Sequence, residues 1–175
     1  MSLPPLDGYT LWLLPDEKSA SKLGQPIEEI STIFDSYPFY PHITIGRVPY
    51  SDPVRLSSLL PSIATGIKPL TITLHSVECR DNPYQKLIFT IKNKLQFTLA
   101  ADAIDRIFEG DFGKRRDHHI SVLYANISCE EFKEDKVNLK CYLSKSFLFN
   151  KIALVCLKGS PDKWRIVKAC ELQTA

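Results

Sequence analysis

The sequence predicts an α+β fold built as a pseudo-symmetric duplication. Two antiparallel sheets, with helices packed outside them, face each other across a central cleft. Three observations predict this. Short apolar runs with period-two alternation are interleaved with stretches whose apolar residues recur every three or four positions, so strands and helices alternate. After the first element, the order strand-helix-strand-strand occurs twice. Finally, Pro41-His42-Ile43-Thr44-Ile45-Gly46-Arg47 reappears in altered form as His118-His119-Ile120-Ser121-Val122-Leu123-Tyr124, and each copy leads its half of the repeat.

The elements follow in order. Residues 1–8 hold two prolines and a glycine and read as a loose leader. Tyr9-Thr10-Leu11-Trp12-Leu13-Leu14 is the first strand, stopped by Pro15. Asp16-Glu17-Lys18 opens a helix whose face is Leu23, Ile27, Ile30 and Phe34, reaching about Ser36. The proline-bearing link Tyr37-Pro38-Phe39-Tyr40-Pro41 restricts the backbone just before His42. Ser51-Asp52-Pro53 caps a second helix, running to about Ile63 through Val54, Leu56, Leu59 and Leu60. Residues 70–77 and 86–91 alternate as strands and are joined by Arg80-Asp81-Asn82-Pro83, giving an antiparallel pair. His75 lies on the Thr-rich side of its strand without a partner motif and reads as a surface or merely structural residue.

Leu95, Leu99, Ala103 and Ile107 mark a helix over 95–109, with Gly110 as its stop. The basic run Lys114-Arg115-Arg116 abuts the second His strand, as a solvated loop or a phosphate contact. Ser128-Cys129-Glu130-Glu131 matches a capping box and predicts a helix over 128–143. Strands over 147–157 and 164–172, joined across Gly159-Ser160-Pro161-Asp162, complete the chain.

The chain has 175 residues, 44% of them hydrophobic, enough for one bilobal domain over 1–175 with a substantial core. Its 22 Lys and Arg nearly balance 20 Asp and Glu, so no overall basic field exists for gripping long nucleic acid. A small anionic ligand needs only local positive charge. The first apolar run is too short for a signal sequence, and no stretch approaches the ~20 apolar residues of a membrane span, so a cytoplasmic or nuclear chain is expected. Of the five cysteines, none forms a Cys-x-x-Cys pair. Cys156 and Cys170 are expected in the core, and the spacing neither requires nor forbids a disulfide.

In a strand, successive side chains face opposite sides, so His42 and Thr44 share one face, as do His119 and Ser121. Each strand buries aliphatic residues on one side and offers an imidazole beside a hydroxyl on the other. A lone His-x-Thr arises by chance; two in matching contexts point to a shared site. Transfer at phosphorus needs this set. Water must lose a proton, the leaving alkoxide must gain one, and the anionic oxygens need donors. Histidine titrates nearest neutrality, so one ring can start neutral and the other charged. Only His119 has a hydroxyl two positions on, so it rather than His118 is the catalytic candidate. Adjacent histidines cannot readily ligate one metal from an extended strand, and no carboxylate lies at ligand spacing, so no metal and no cofactor are expected.

These residues resemble the 2H phosphoesterase superfamily, and within it the cyclic phosphodiesterases of plants and fungi. The likeness rests on Trp12-Leu13-Leu14-Pro15-Asp16-Glu17, Phe39-Tyr40-Pro41-His42-Ile43-Thr44 and His119-Ile120-Ser121-Val122-Leu123-Tyr124, and runs over most of the chain. The family usually has proline before its second catalytic histidine, where this chain has His118. The resemblance implies opening of 2′,3′-cyclic nucleotides to 2′-phosphates, and of ADP-ribose 1″,2″-cyclic phosphate to ADP-ribose 1″-phosphate, downstream of tRNA splicing. It implies His119 as base and His42 as acid, with Thr44 and Ser121 on the non-bridging oxygens. It also implies a pocket lined by Trp12 and Tyr124, with Tyr84 in a loop over the site. The expected partner is a small cyclic phosphate, bound by a monomer, with no membrane and no stable long nucleic acid. Two rivals remain: a 2′-5′ RNA ligase or oligonucleotide phosphodiesterase of the same superfamily, and a nucleotide-binding module without chemistry.

Overall fold

The computed structural model describes residues 3–48, 53–92, 97, 102, 104, 117–132 and 137–173. The chain runs β1 (Tyr9–Pro15), α1 (Glu17–Ile33), β2 (Ile43–Val48), α2 (Pro53–Thr65), β3 (Leu70–Cys79), β4 (Leu87–Ile91), β5 (His119–Leu123), β6 (Ser146–Cys156) and β7 (Arg165–Glu171). The fold is α+β. The expected strands are present, with ends shifted by a residue or two.

Among the described residues the strands form one seven-stranded sheet in the order β2-β1-β6-β3-β4-β5, with β7 beside β6. Every pairing is antiparallel. The two ladders expected of two lobes are joined through β3. Its first residues, Leu70 to Thr73, pair with β6, and its later part pairs with β4 after a register shift between Leu74 and Val77. β2 and β5 stand at opposite ends of this order yet touch each other, so the sheet curls until its margins meet. Those margins are the two His strands.

The alternation in β1 and β6 sorts side chains onto two faces. Leu11, Leu13, Ile152 and Leu154 join the main core with Leu23, Ile27 and Ile30 of α1 and Leu56, Leu60 and Ile63 of α2. Trp12, Leu14, Ala153, Val155 and Leu157 form a second cluster on the other face, with Leu6 and Trp164 against it. α1 starts where the sequence says, because the Asp16 carboxylate accepts from the Ser19 amide at 2.8 Å.

The segment 128–143 departs from the expected helix. Ser128 and Glu131 do exchange the capping-box hydrogen bonds, but only a turn follows. The next described residues contain the short 3-10 turn Leu139–Tyr142. Val137 and Leu139 are both buried with exposed Asn138 between them, an alternation that fits extended chain better than one apolar face of a helix. Cys129 is disulfide-bonded to Cys79 at the end of β3, a pairing that the spacing alone did not single out. Cys156 and Cys170, expected in the core, are only half-buried, since one closes β6 and the other lies on the outer strand β7. His75 is exposed, as expected.

Most of the helix over 95–109, the run Lys114-Arg115-Arg116 and the cap Ser51-Asp52 lie outside the described residues. Phe97 and Ile104 are helical and fully buried. No helix among the described residues is long and apolar enough to cross a membrane, which does not bear on β-barrels.

Candidate active site

His42 and Thr44 from the first margin of the sheet and His119 and Ser121 from the other line a single cavity of about 360 Å³. Trp12 from β1, Tyr124 just after β5 and Tyr84 from the β3–β4 connection line it too. Every site residue singled out from the sequence is therefore brought to one place.

Both imidazoles are held the same way. His42 Nδ1 lies 2.7 Å from the Tyr40 carbonyl and His119 Nδ1 lies 2.9 Å from the Asp117 carbonyl, each two residues back along the chain. A carbonyl only accepts, so Nδ1 carries the hydrogen in both rings, and Nε2 is the nitrogen that can take or give a proton in the site. The stiff link before His42 thus fixes the Tyr40 carbonyl, and with it the tautomer.

The surroundings of the two rings differ. His42 is buried, at 4% exposure. Trp12 stacks flat on it, with ring centroids 3.5 Å apart and planes 11° apart, and Phe39 meets it edge-on. Burial lowers its pKa to about 4, against the raising effect of the Tyr40 hydrogen bond and with a further lowering from His119. His42 is consequently neutral in the empty site near pH 7. The Tyr124 hydroxyl stands 3.4 Å from His42 Nε2. Burial pushes the Tyr124 phenol well above its ordinary range, so it stays a protonated donor. Ser121 is also buried, and its hydroxyl donates to the Tyr84 carbonyl at 3.3 Å, fixing the Tyr84 loop over β5.

A repeated irregularity shapes the pocket. In β2 the register slips by one residue, with Trp12 opposite Thr44 but Leu11 opposite Gly46. In β5 the same slip puts Ile88 opposite Ser121 but Leu87 opposite Leu123. The extra residue reverses the alternation that follows it. Arg47, five residues after His42, and Tyr124, five residues after His119, therefore both turn into the cavity. Strict alternation from His42 and Thr44 puts Arg47 on the core side, which is why the sequence reading missed it. Gly46 inside the strand was the one signal of a bulge. Arg47 is the one Lys or Arg lining the cavity among the described residues.

Sequence reasoning also missed Trp164, which begins the last hairpin arm. It stacks with Tyr84, with centroids 5.8 Å apart, and meets Trp12 and Tyr124 at 6.1 and 5.7 Å. With Tyr84 it makes a half-exposed aromatic rim able to take a flat ring. Asp117 lines the cavity as well, and its carboxylate is paired with Arg80, which also holds Glu78. His118 faces away, stacked on Phe97 with centroids 4.9 Å apart. Its imidazole reaches the Thr44 backbone, and burial lowers its pKa. It thus fastens one His strand to the other rather than lining the groove. No group of three or more His, Cys, Asp or Glu able to hold a metal occurs among the described residues.

No family model matches the chain. A curated relative, the cyclic phosphodiesterase of Arabidopsis thaliana, is 27% identical over 174 residues, spanning 95% of this chain and 96% of that protein. The crystal structure of E. coli LigT complexed with 3′-AMP superimposes with a TM-score of 0.60 at 11% identity, over 96% of this chain and 99% of that one. A crystal structure described as a phosphoesterase gives 0.58 at 13% identity, over 97% of this chain and all of that one. These two likenesses concern the fold. Similarity along nearly the whole length, a shared architecture and a pair of His-x-hydroxyl strands meeting at the margins of one curled sheet point the same way: the chain is similar in sequence to a plant cyclic phosphodiesterase and shares the fold of LigT.

Proposed function

We propose that the protein hydrolyses 2′,3′-cyclic nucleotides to nucleoside 2′-phosphates, and ADP-ribose 1″,2″-cyclic phosphate to ADP-ribose 1″-phosphate, in the metabolism of tRNA-splicing products. The observation that carries the reading is the convergence of two imidazoles, both with Nδ1 tied back to the chain, on one cavity with a hydroxyl beside each. The Arabidopsis relative's description as a cyclic phosphodiesterase supports the substrate class.

In this mechanism His119 takes a proton from the water that attacks phosphorus. The bond from phosphorus to O3′ breaks, and His42 protonates the departing oxygen, leaving the phosphate on O2′. Thr44 and Ser121 hold the non-bridging oxygens, while the Tyr124 hydroxyl donates beside His42. The ring strain of a five-membered cyclic ester lets acid-base help and anion binding suffice without a metal. For His42 to act as acid it must be charged when substrate is bound, although it is neutral in the empty site. The phosphate anion supplies that charge by its own field, and the flat Trp12 ring over the imidazole favours the cation further. His42 thus becomes an acid only where there is something to protonate.

Product analysis on a 2′,3′-cyclic nucleotide with a chelator present is the test. Clean conversion to the 2′-phosphate is expected. A 3′-phosphate product, or turnover abolished by the chelator and restored by a metal, would refute the reading, and binding without turnover would identify a nucleotide-binding module instead.

A further inference from the structure

The leader ahead of β1, expected to be loose, is anchored across the mouth of the cavity. The Tyr84 hydroxyl donates to the Pro4 carbonyl, and the Arg47 guanidinium donates to the Asp7 carbonyl at 3.4 Å. Arg47 belongs to the margin that carries His42, whereas Tyr84 is bound through its carbonyl to Ser121 at the margin that carries His119. The segment therefore connects the two sides of the groove. Leu6, between these anchors, forms an isolated β-bridge with Gly159, lines the cavity and sits against the Trp12 and Trp164 cluster. Gly8 continues the attachment by accepting from the Leu157 amide at 2.9 Å.

We infer that residues 4–7 form a strap that determines substrate size. The strap admits a ligand that ends inside the cavity and blocks a polynucleotide chain that must run on through its mouth. The inference rests on the cyclic phosphodiesterase reading above and narrows its substrate class to small molecules. Three features support it. Both anchors on the strap are main-chain carbonyls, so the crossing does not depend on the side chains of Pro4 and Asp7. Leu6 lines the cavity with an apolar side chain, which has no hydrogen-bond donor to offer a phosphate of a continuing chain. The cavity, at about 360 Å³, is at the small end of ligand pockets and matches a single nucleotide rather than several.

The test compares kcat/KM for uridine 2′,3′-cyclic phosphate and for a short RNA ending in a 2′,3′-cyclic phosphate. It uses the full chain, a variant beginning at Gly8 after an initiating Met, and Leu6→Ala. The full chain is expected to favour the mononucleotide by about 100-fold, and removal of the strap to cut that ratio at least about tenfold, chiefly through KM for the RNA. Leu6→Ala is expected to move the ratio in the same direction by a smaller factor. Equal use of both substrates by the full chain overturns the inference without any variant. So does an unchanged ratio in a truncated protein whose melting shows it folded. If neither substrate is turned over, the phosphodiesterase reading fails by itself. The strap is then judged by binding, with tryptophan fluorescence reporting uridine 2′-phosphate against a short RNA ending in a 2′-phosphate. The same preference, weakened by truncation, sustains it, and equal affinities end it.

Discussion

Occupying the cavity with an anion should switch the charge of His42. Its pKa is about 4 in the empty site, because burial leaves the imidazolium without solvation. Nδ1 is committed to the Tyr40 carbonyl, so the proton comes and goes at Nε2, the nitrogen beside the Tyr124 hydroxyl. One negative charge about 4 Å from the ring, at an effective dielectric constant of about 20, favours the imidazolium by about 4 kcal/mol. At ~1.4 kcal/mol per pKa unit, this carries His42 from about 4 to roughly 7. At pH 6 the ring is then about 1% protonated when empty and about 90% protonated when filled, so binding draws in nearly one proton. Sulfate is a suitable probe, since it does not titrate in this range and cannot be hydrolysed. Imidazole NMR resonances followed against pH, with and without saturating sulfate and assigned through His42→Gln, should show the midpoint move upward by two to three pH units. A His42 midpoint that stays below about pH 5 with sulfate bound would refute the reasoning. His42 could not then be the acid, and the two histidines would have to exchange roles.

Other expectations follow from the same geometry. His42→Ala and His119→Ala should each lower kcat by about 10²- to 10⁴-fold with the fold retained, measured by turnover alongside circular dichroism; near-normal turnover by either would falsify the two-histidine assignment. Because the folded-state pKa of His42 lies below its unfolded value of 6.5, the unfolded chain takes up the proton first as pH falls. Stability should therefore decline between about pH 6.5 and 4, by about 3 kcal/mol from this group, and a urea-melt series should show that slope flattened in His42→Gln. Reducing the Cys79–Cys129 disulfide, or Cys129→Ser, frees a loop with a sequence separation of 50 and should cost about 2–4 kcal/mol in denaturant midpoint analysis; no loss would mean the bond is absent in solution. Trp12→Leu removes the ring lying 3.5 Å over His42 and should reduce kcat by roughly tenfold while lowering the His42 midpoint, consistent with a cation–π contribution of about 1 kcal/mol. An unchanged midpoint would reduce Trp12 to a packing residue.

The strands were legible because period-two alternation is local, and the His-x-hydroxyl pairs because strand geometry fixes which residues share a face. α1 was legible for the same reason: Asp16 caps it, and its buried residues recur at helical steps. What the sequence did not disclose depends on partners distant in the chain. The segment after Ser128 has a genuine capping box, but its course is set by burying both Val137 and Leu139 and by the link from Cys129 to Cys79. Arg47 was hidden because the register slip that turns it into the cavity exists only in the pairing of β2 with β1. Trp164 reads as an ordinary strand residue until the last hairpin is placed beside Trp12 and Tyr84. Alternation did not find Tyr124 either. Family resemblance did, and the slip in β5 gives the physical reason for its position.

β3, where it leaves β6 for β4, is the strand that the ladder ending in β2 and the ladder ending in β5 have in common. The bend at residues 74–77, none of which lines the cavity, therefore helps set how the two margins approach each other, together with the direct contact of β2 with β5 and the His118 link to Thr44. Substitutions that flatten or tighten this bend should retune turnover from a distance while leaving every active-site side chain intact.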